Sequence, residues 1–108
     1  MKAGIKLMSN VVFFNSYKLK KDVSVADFLI VVENLNNEYI SKFKGYISFK
    51  VAIDGETWAD STTFETMDDA KNCAEACDPN EWVEKFCSFL EPESCTSHFF
   101  VIEKSFTK

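Results

Sequence analysis

His98 is the only histidine in this 108-residue sequence, and it directly precedes a pair of phenylalanines. Because an imidazole titrates near neutral pH, a histidine beside apolar residues can accept and release a proton during a reaction. Asp60 lies two residues after Trp58, and its carboxylate could orient an imidazole or a substrate hydroxyl. If the protein is an enzyme, we expect His98 and Asp60 to carry proton transfer. The alternatives are a hydrogen-bonded structural histidine and an ion pair between Asp60 and Lys50.

Three further residues are predicted to bind a ligand. Trp58 could stack on a planar molecule, although a tryptophan of the core or of an interface is the alternative. Asn15 stands among apolar residues and could donate its amide to a ligand, whereas a polar residue at a strand end is the other interpretation. Lys50 completes the predicted set, since we expect it to lie opposite Asp60 in a sheet.

The composition argues against several kinds of site and partner. A net charge of -5 and an isoelectric point near 4.8 disfavour nucleic acid, which is bound by clustered Lys and Arg. The sequence has only three glycines, and they form no phosphate-binding loop. The four cysteines match no zinc spacing, although Cys73 and Cys77 could share one face of a helix. We therefore expect neither a metal nor another cofactor.

The distribution of apolar residues predicts a single domain away from membranes. No apolar run approaches the roughly 20 residues that a membrane span needs. The first ten residues lack the apolar region of a secretory signal. We expect a cytoplasmic protein with one domain over residues 1–108 and a core over 10–104.

The strongest structural signal is a hairpin in the middle of the chain. Apolar and polar residues alternate over residues 46–53, as in a strand with two unlike faces, and Asp54-Gly55 follows as a turn. A two-residue loop would set Asp60 against Phe49, and a three-residue loop would set Asp60 against Lys50. We favour the second register, because it pairs opposite charges across the strands.

The remaining elements flank this hairpin. Runs rich in β-branched and aromatic residues predict a first strand over residues 10–19 and a last strand over 96–104. Ser24 and Thr66 each begin a capping box, and Pro79 is expected at the first position of a further helix. The order β-α-β-β-α(α)-β predicts an α+β ferredoxin-like fold, in which helices cover one face of a four-stranded antiparallel sheet. We expect the first and last strands to be central.

The other face of the sheet also needs a cover. Residues 11–14 and 99–102 are apolar without alternation, whereas a strand with one solvated face should alternate. Helices can cover only one face. We therefore predict a homodimer in which the sheet of a second copy covers the other face.

Four stretches of the chain resemble the dimeric α+β barrel superfamily, and within it the antibiotic-biosynthesis-monooxygenase-like group. They are FFNSYKL, KGYISFKV, WADSTTFETMDDAKNCAEA and SHFF, and the resemblance spans about residues 10 to 104. The resemblance implies an aromatic-lined pocket. Some members of the group oxidise polycyclic phenols without metal or flavin. Others isomerise small lactones, degrade haem or have no known activity.

The resemblance also bears on individual residues. Haem-degrading relatives have a histidine in the helical segment after the third strand, and residues 67–90 contain none. The phenol-oxidising members hold their substrate with pocket Asn, Trp and aromatic residues, and Asn15 and Trp58 have these chemical types.

Two functional hypotheses from different classes follow. The first is a cofactor-independent oxygenase or isomerase-like enzyme that acts on an apolar, oxygenated small molecule. The second is a non-catalytic dimer that binds such a molecule or a protein. An enclosed pocket of about 300 to 1,000 Å³ that reaches His98 or Asp60 would favour the enzyme, and a packed barrel with both residues exposed would favour the binding protein.

Overall fold

The computed structural model describes residues 9–108, so residues 1–8 of the predicted domain and of the segment searched for a signal lie outside it. Residues 9–108 form four strands and three α-helices, with short 3-10 helices at Ile40–Lys42 and Pro92–Ser94. In chain order the strands and α-helices are β1 (Val11–Tyr17), α1 (Val25–Glu38), β2 (Tyr46–Asp54), β3 (Thr57–Phe64), α2 (Met67–Ala74), α3 (Glu81–Ser88) and β4 (Thr96–Val101). The predicted α+β ferredoxin-like fold is confirmed. Within the described residues, every helix is too short or too polar to cross a membrane.

The four strands form one antiparallel sheet in the order β2-β3-β1-β4. The expectation that the last strand is central is wrong, because β4 lies at an edge. The crossover through α1 leaves one strand position free between β1 and β2, and the tight hairpin returns β3 into that position. Only the outer side of β1 then remains for β4.

The hairpin register differs from both registers considered from the sequence. Asp54 pairs with Thr57, so the loop consists of Gly55 and Glu56, and Gly55 has a positive φ of 62°. Asp60 is opposite Val51, and the predicted pairing of Asp60 with Lys50 is therefore wrong. The reason is burial: this register sets the buried residues of β3 beside the half-buried residues of β2 on one face.

The helix starts follow local sequence signals. The Ser24 hydroxyl accepts the Asp27 N–H at 3.1 Å, and the Thr66 hydroxyl accepts the Asp69 N–H at 3.0 Å, so both predicted N-caps are confirmed. Helix α3 is capped by Asn80, whose side chain accepts from the N–H groups of the first turn. Pro79 therefore precedes the cap, and its predicted place inside the helix is wrong.

The helices cover one face of the sheet, as predicted, and we call this the inner face. On β1 it carries Val11, Phe13, Asn15 and Tyr17, and on β3 it carries Trp58, Asp60, Thr62 and Phe64. Phe28 of α1 packs against Tyr17 and Trp58, while Ala70 of α2 packs against Val11 and Phe64. The opposite, outer face carries Val12, Phe14 and Ser16 of β1 with His98 and Phe100 of β4.

Candidate functional site

A cavity of about 290 Å³ lies between the inner face and the helices. Its walls are mainly apolar and include the side chains of Phe13, Leu35, Tyr39, Ile40, Phe49, Val83, Phe86 and Leu90. This volume is just below the range of about 300 to 1,000 Å³ that is usual for small-molecule sites. The large number of phenylalanines in the sequence is thus used partly in the walls of a cavity.

Asp60 supplies the negative charge of this cavity. Its side chain is 5% exposed, and it lines the cavity from the centre of β3. The Tyr17 hydroxyl donates to Asp60 Oδ2 at 2.6 Å, and Asn15 Nδ2 donates to Asp60 Oδ1 at 3.0 Å. Both carboxylate oxygens are therefore held by neighbouring strand residues, as a buried carboxylate requires.

The hydrogen bonds continue from Asp60 to the edge of the sheet. Asn15 lies between Asp60 and Ser97 in the strand register. The Ser97 hydroxyl donates to Asn15 Oδ1 at 2.5 Å, which directs the amide nitrogen of Asn15 toward Asp60. We refer to Tyr17, Asp60, Asn15 and Ser97 as the polar cluster.

Burial controls the acid–base properties of the polar cluster. Burial raises the pKa of the Asp60 carboxyl, and the hydrogen bonds from Tyr17 and Asn15 lower it by a smaller amount. Burial and the adjacent Asp60 charge raise the pKa of Tyr17, so its phenol remains protonated and donates. Among residues 9–108 the only ion pair joins Glu38 and Lys42, so none of the described cations pairs with Asp60. A carboxylate of this kind is a stronger base than an exposed one.

The structure brings together two of the residues that the sequence singled out and separates them from His98. Asn15 and Asp60 meet in the cavity. His98 is exposed on the outer face, opposite Phe14, and its ring stacks on Phe100 with the centroids 5.3 Å apart. Of the two roles considered for Asp60, orienting the imidazole of His98 is therefore not possible within one subunit, because successive strand residues point to opposite faces and the sheet lies between the two side chains.

Trp58 and Lys50 also lie outside the cavity wall. Trp58 is buried in the core, where its ring meets Phe28 edge to face with centroids 5.0 Å apart. Lys50 is exposed on the outer face and is opposite Ser61. The ion pair predicted between Lys50 and Asp60 does not form, because Asp60 points to the inner face.

Sequence reasoning missed Tyr17 and Ser97. Tyr17 lies two residues after Asn15 on the same strand, so strand periodicity could have placed both on one face. Ser97 carries no comparable signal, since its contact with Asn15 depends on how β4 pairs with β1.

Three cysteines also line the cavity, namely Cys73, Cys87 and Cys95. Burial raises the pKa of Cys73 to about 11 and raises that of Cys87, which favours the neutral thiol of both. Cys77 lies beyond the end of α2, so the helical pair with Cys73 does not form. In the described part of the chain, no three His, Cys, Asp or Glu side chains are grouped so that they could hold a metal.

Solved structures share this architecture across most of the chain. SnoaB, a cofactor-independent oxygenase from Streptomyces nogalater, has a TM-score of 0.73 and 9% identity, over 93% of this chain and 99% of that chain. A candidate antibiotic biosynthesis monooxygenase from Chloroflexus aurantiacus has a TM-score of 0.67 and 10% identity, over 92% and 98%. A dimeric protein of unknown function with a ferredoxin-like fold from Bacteroides fragilis has a TM-score of 0.61 and 23% identity, over 86% and 96%.

These similarities are structural. No protein-family model matches the chain, and no curated protein matches its sequence. The structural neighbours include antibiotic-biosynthesis-monooxygenase-like proteins, the group that the sequence resembles, so that prediction is confirmed at the level of the fold.

Proposed function

We propose that this protein is a cofactor-independent oxygenase that acts on an apolar, oxygenated small molecule in the inner-face cavity. The observation that carries the proposal is the buried Asp60 carboxylate, which meets an aromatic-lined cavity and has no cationic partner among residues 9–108. The fold shared with SnoaB, described as a cofactor-independent oxygenase, supports this class of reaction.

In the first step Asp60 removes a proton from the substrate. A suitable substrate has a CH₂ group made acidic by a neighbouring carbonyl, or a phenolic hydroxyl. Burial raises the pKa of Asp60 and so brings its basicity closer to that of such a substrate. The Tyr17 hydroxyl and the Asn15 amide hold the carboxylate in place during the transfer.

In the second step the substrate anion reduces molecular oxygen. One electron passes from the carbanion to O₂, and the carbon radical and superoxide combine to a peroxide anion. This anion takes back the proton from Asp60 to give a hydroperoxide, and loss of water leaves a carbonyl. The balance for a CH₂ group is R₂CH₂ + O₂ → R₂C=O + H₂O, so the substrate supplies all the electrons. An isomerase would use the same proton abstraction but return the proton to another carbon without consuming oxygen.

Anthrone under ¹⁸O₂ tests this reaction, because it is apolar and has an acidic CH₂ beside two aromatic rings. We expect anthraquinone with one ¹⁸O atom, formed faster than in buffer alone and without added metal or flavin. Asp60→Asn should lower the rate by about 10² to 10⁴. His98→Gln on the outer face is the matched control and should retain the rate within a few-fold.

Other outcomes would contradict the proposal. Anthrone binding without oxygen uptake would favour the non-catalytic binding protein. Equal losses in Asp60→Asn and His98→Gln would remove the role of Asp60 as the base.

We also propose that a second copy covers the outer face. Phe100 is 51% exposed there, and it stacks against the ring of His98 and meets Phe14 edge to face. A cover of about 800 Å² per subunit would be of standard size. Phe100→Glu should shift the protein to a monomer in sedimentation, and Phe106→Glu, which changes an exposed residue outside the sheet, should not. A wild-type monomer at micromolar concentration would contradict the dimer.

A further inference from the structure

The cavity has a single charged side chain in its described wall, and that side chain is negative. Its wall contains one carboxylate, Asp60, and none of the described residues that form it is Lys, Arg or His. The ionisable groups that remain are two tyrosines and three cysteines, which are neutral or negative. A negatively charged ligand would thus meet no cation among the described residues of the wall.

The polar cluster leaves specific hydrogen-bonding positions for a ligand. Each oxygen of Asp60 accepts one hydrogen bond from the protein, and a carboxylate can accept about four in total. Asn15 donates one of its two amide hydrogens to Asp60, so the second remains for another acceptor. A neutral group that both donates and accepts would satisfy Asp60 and Asn15 together.

Thr62 adds a second polar position on the same strand. Its side chain is 3% exposed and lines the cavity two residues beyond Asp60, on the same face. A threonine hydroxyl can donate or accept, so it adds no charge to the site. The polar groups of the cavity can therefore bind an uncharged polar ligand but cannot neutralise an anion.

We infer that Asp60 is also a specificity-determining residue, which admits uncharged aromatic ligands with a hydrogen-bond donor and excludes their anionic counterparts. An anion beside Asp60 would place two negative charges in an apolar cavity, so one of the two would have to take up a proton before binding. Carboxylated and phosphorylated ligands are thereby rejected, although their apolar parts would fit. This inference rests on the proposed function in using the same cavity, but it concerns binding and not turnover.

Three naphthalene derivatives of nearly equal shape separate charge from hydrogen bonding. 2-Naphthamide is neutral and donates, 2-acetonaphthone is neutral and cannot donate, and 2-naphthoate is an anion at neutral pH. We expect the amide to bind most tightly, the ketone next, and the carboxylate at least about tenfold more weakly than the amide, in calorimetric titrations at pH 7.

Two variants test whether Asp60 causes the discrimination. Asp60→Asn has the same shape without the charge and should bring the amide and the carboxylate within about threefold of each other. Glu84→Gln removes an equal charge from the exposed surface of α3 and should preserve the tenfold difference. In the wild-type protein, lowering the pH should strengthen binding of the naphthoic acid, a result that does not depend on the folding of any variant.

The outcomes separate this inference from the oxygenase proposal. Equal affinities of the wild-type protein for 2-naphthamide and 2-naphthoate would overturn the inference, even if anthrone were oxygenated. Failure of all three compounds to bind would overturn it as well. Discrimination by charge without oxygen uptake from anthrone would support the inference and overturn only the oxygenase.

Discussion

The two faces of the sheet differ in where they place the groups that could do chemistry. The inner face holds Asp60, which is 5% exposed and accepts hydrogen bonds from Tyr17 and Asn15. The outer face carries the exposed His98, which stacks on Phe100, and Phe100 is 51% exposed. The residue type most often used for proton transfer is thus on the face without the cavity. The proposal of Asp60 as the base therefore rests on its burial and its fixed hydrogen-bond partners, and not on its residue type.

The alternation of side chains along a strand explains why His98 and Asp60 do not meet within one subunit. Asn15 and Phe14 are adjacent on β1, and each is paired with a residue of β4, Ser97 and His98. Each adjacent pair is divided between the faces, so the hydrogen bond from Ser97 and the stacking of His98 belong to different environments.

The largest expected difference between the faces is in stability. Phe64→Ala removes a fully buried ring from the inner face and should lower the free energy of unfolding by about 3 to 5 kcal/mol. Phe100→Ala changes a half-exposed ring and should cost less than about 1.5 kcal/mol within one subunit. Urea unfolding at a protein concentration low enough to dissociate any dimer measures the change in unfolding free energy of both variants. Similar losses of unfolding free energy in the two variants would contradict the division into a core face and an exposed face.

The second prediction concerns pH and the charge of the inner face. Burial raises the pKa of Asp60 in the folded protein above its unfolded value. Its contribution to stability is therefore greatest below the unfolded pKa, near 4, and is lost as the pH rises through the folded value. Relative to Asp60→Asn, the wild-type protein should lose unfolding free energy as the pH rises above about 4.

Urea midpoints across that pH range measure this loss, and Glu84→Gln serves as the control that should follow the wild type. The rate with anthrone should change in the opposite direction, since the base must be ionised to act. A wild-type protein whose stability parallels that of Asp60→Asn at every pH would show that the carboxyl is not perturbed.

A smaller effect is expected from the phenol that supports the carboxylate. The Tyr17 hydroxyl lowers the pKa of Asp60 by donating to it, so Tyr17→Phe should move the rising limb of the rate profile to higher pH. The rate at neutral pH should fall roughly tenfold, in keeping with the loss of a hydrogen bond to a charged group. If the rate falls but the rising limb of the pH–rate profile stays at the same pH, Tyr17 affects only the packing of the core and not the pKa of Asp60.

The smallest effect is expected at the edge strand. Ser97→Ala removes the donor that orients the Asn15 amide and should lower the rate about two- to tenfold, with a small shift of the same limb to higher pH. Ser97→Thr should restore most of the rate. Ser16→Ala, which removes a hydroxyl of the outer face that is paired with Thr96, is the matched control and should leave the profile unchanged.

The sequence by itself determined the order of elements and several of their ends. Alternation and the Gly55 turn located the central hairpin, and Ser24 and Thr66 located two helix starts, because these signals act between residues close in the chain. The same patterns predicted the ferredoxin-like sheet with its helices on one face. They also singled out Asn15 and Asp60, although not the contact between them.

Only the tertiary structure decided which of these residues meet. The place of β4 at the edge and the pairing of Asp60 with Val51 depend on strands distant in the chain, and a shift of one residue would move a whole strand to the other face. This is why the sequence could name His98 and Asp60 together as candidates for proton transfer, although the sheet separates their side chains. The link from Ser97 through Asn15 to Asp60 exists because β1 lies between β4 and β3, and no local pattern specifies that arrangement.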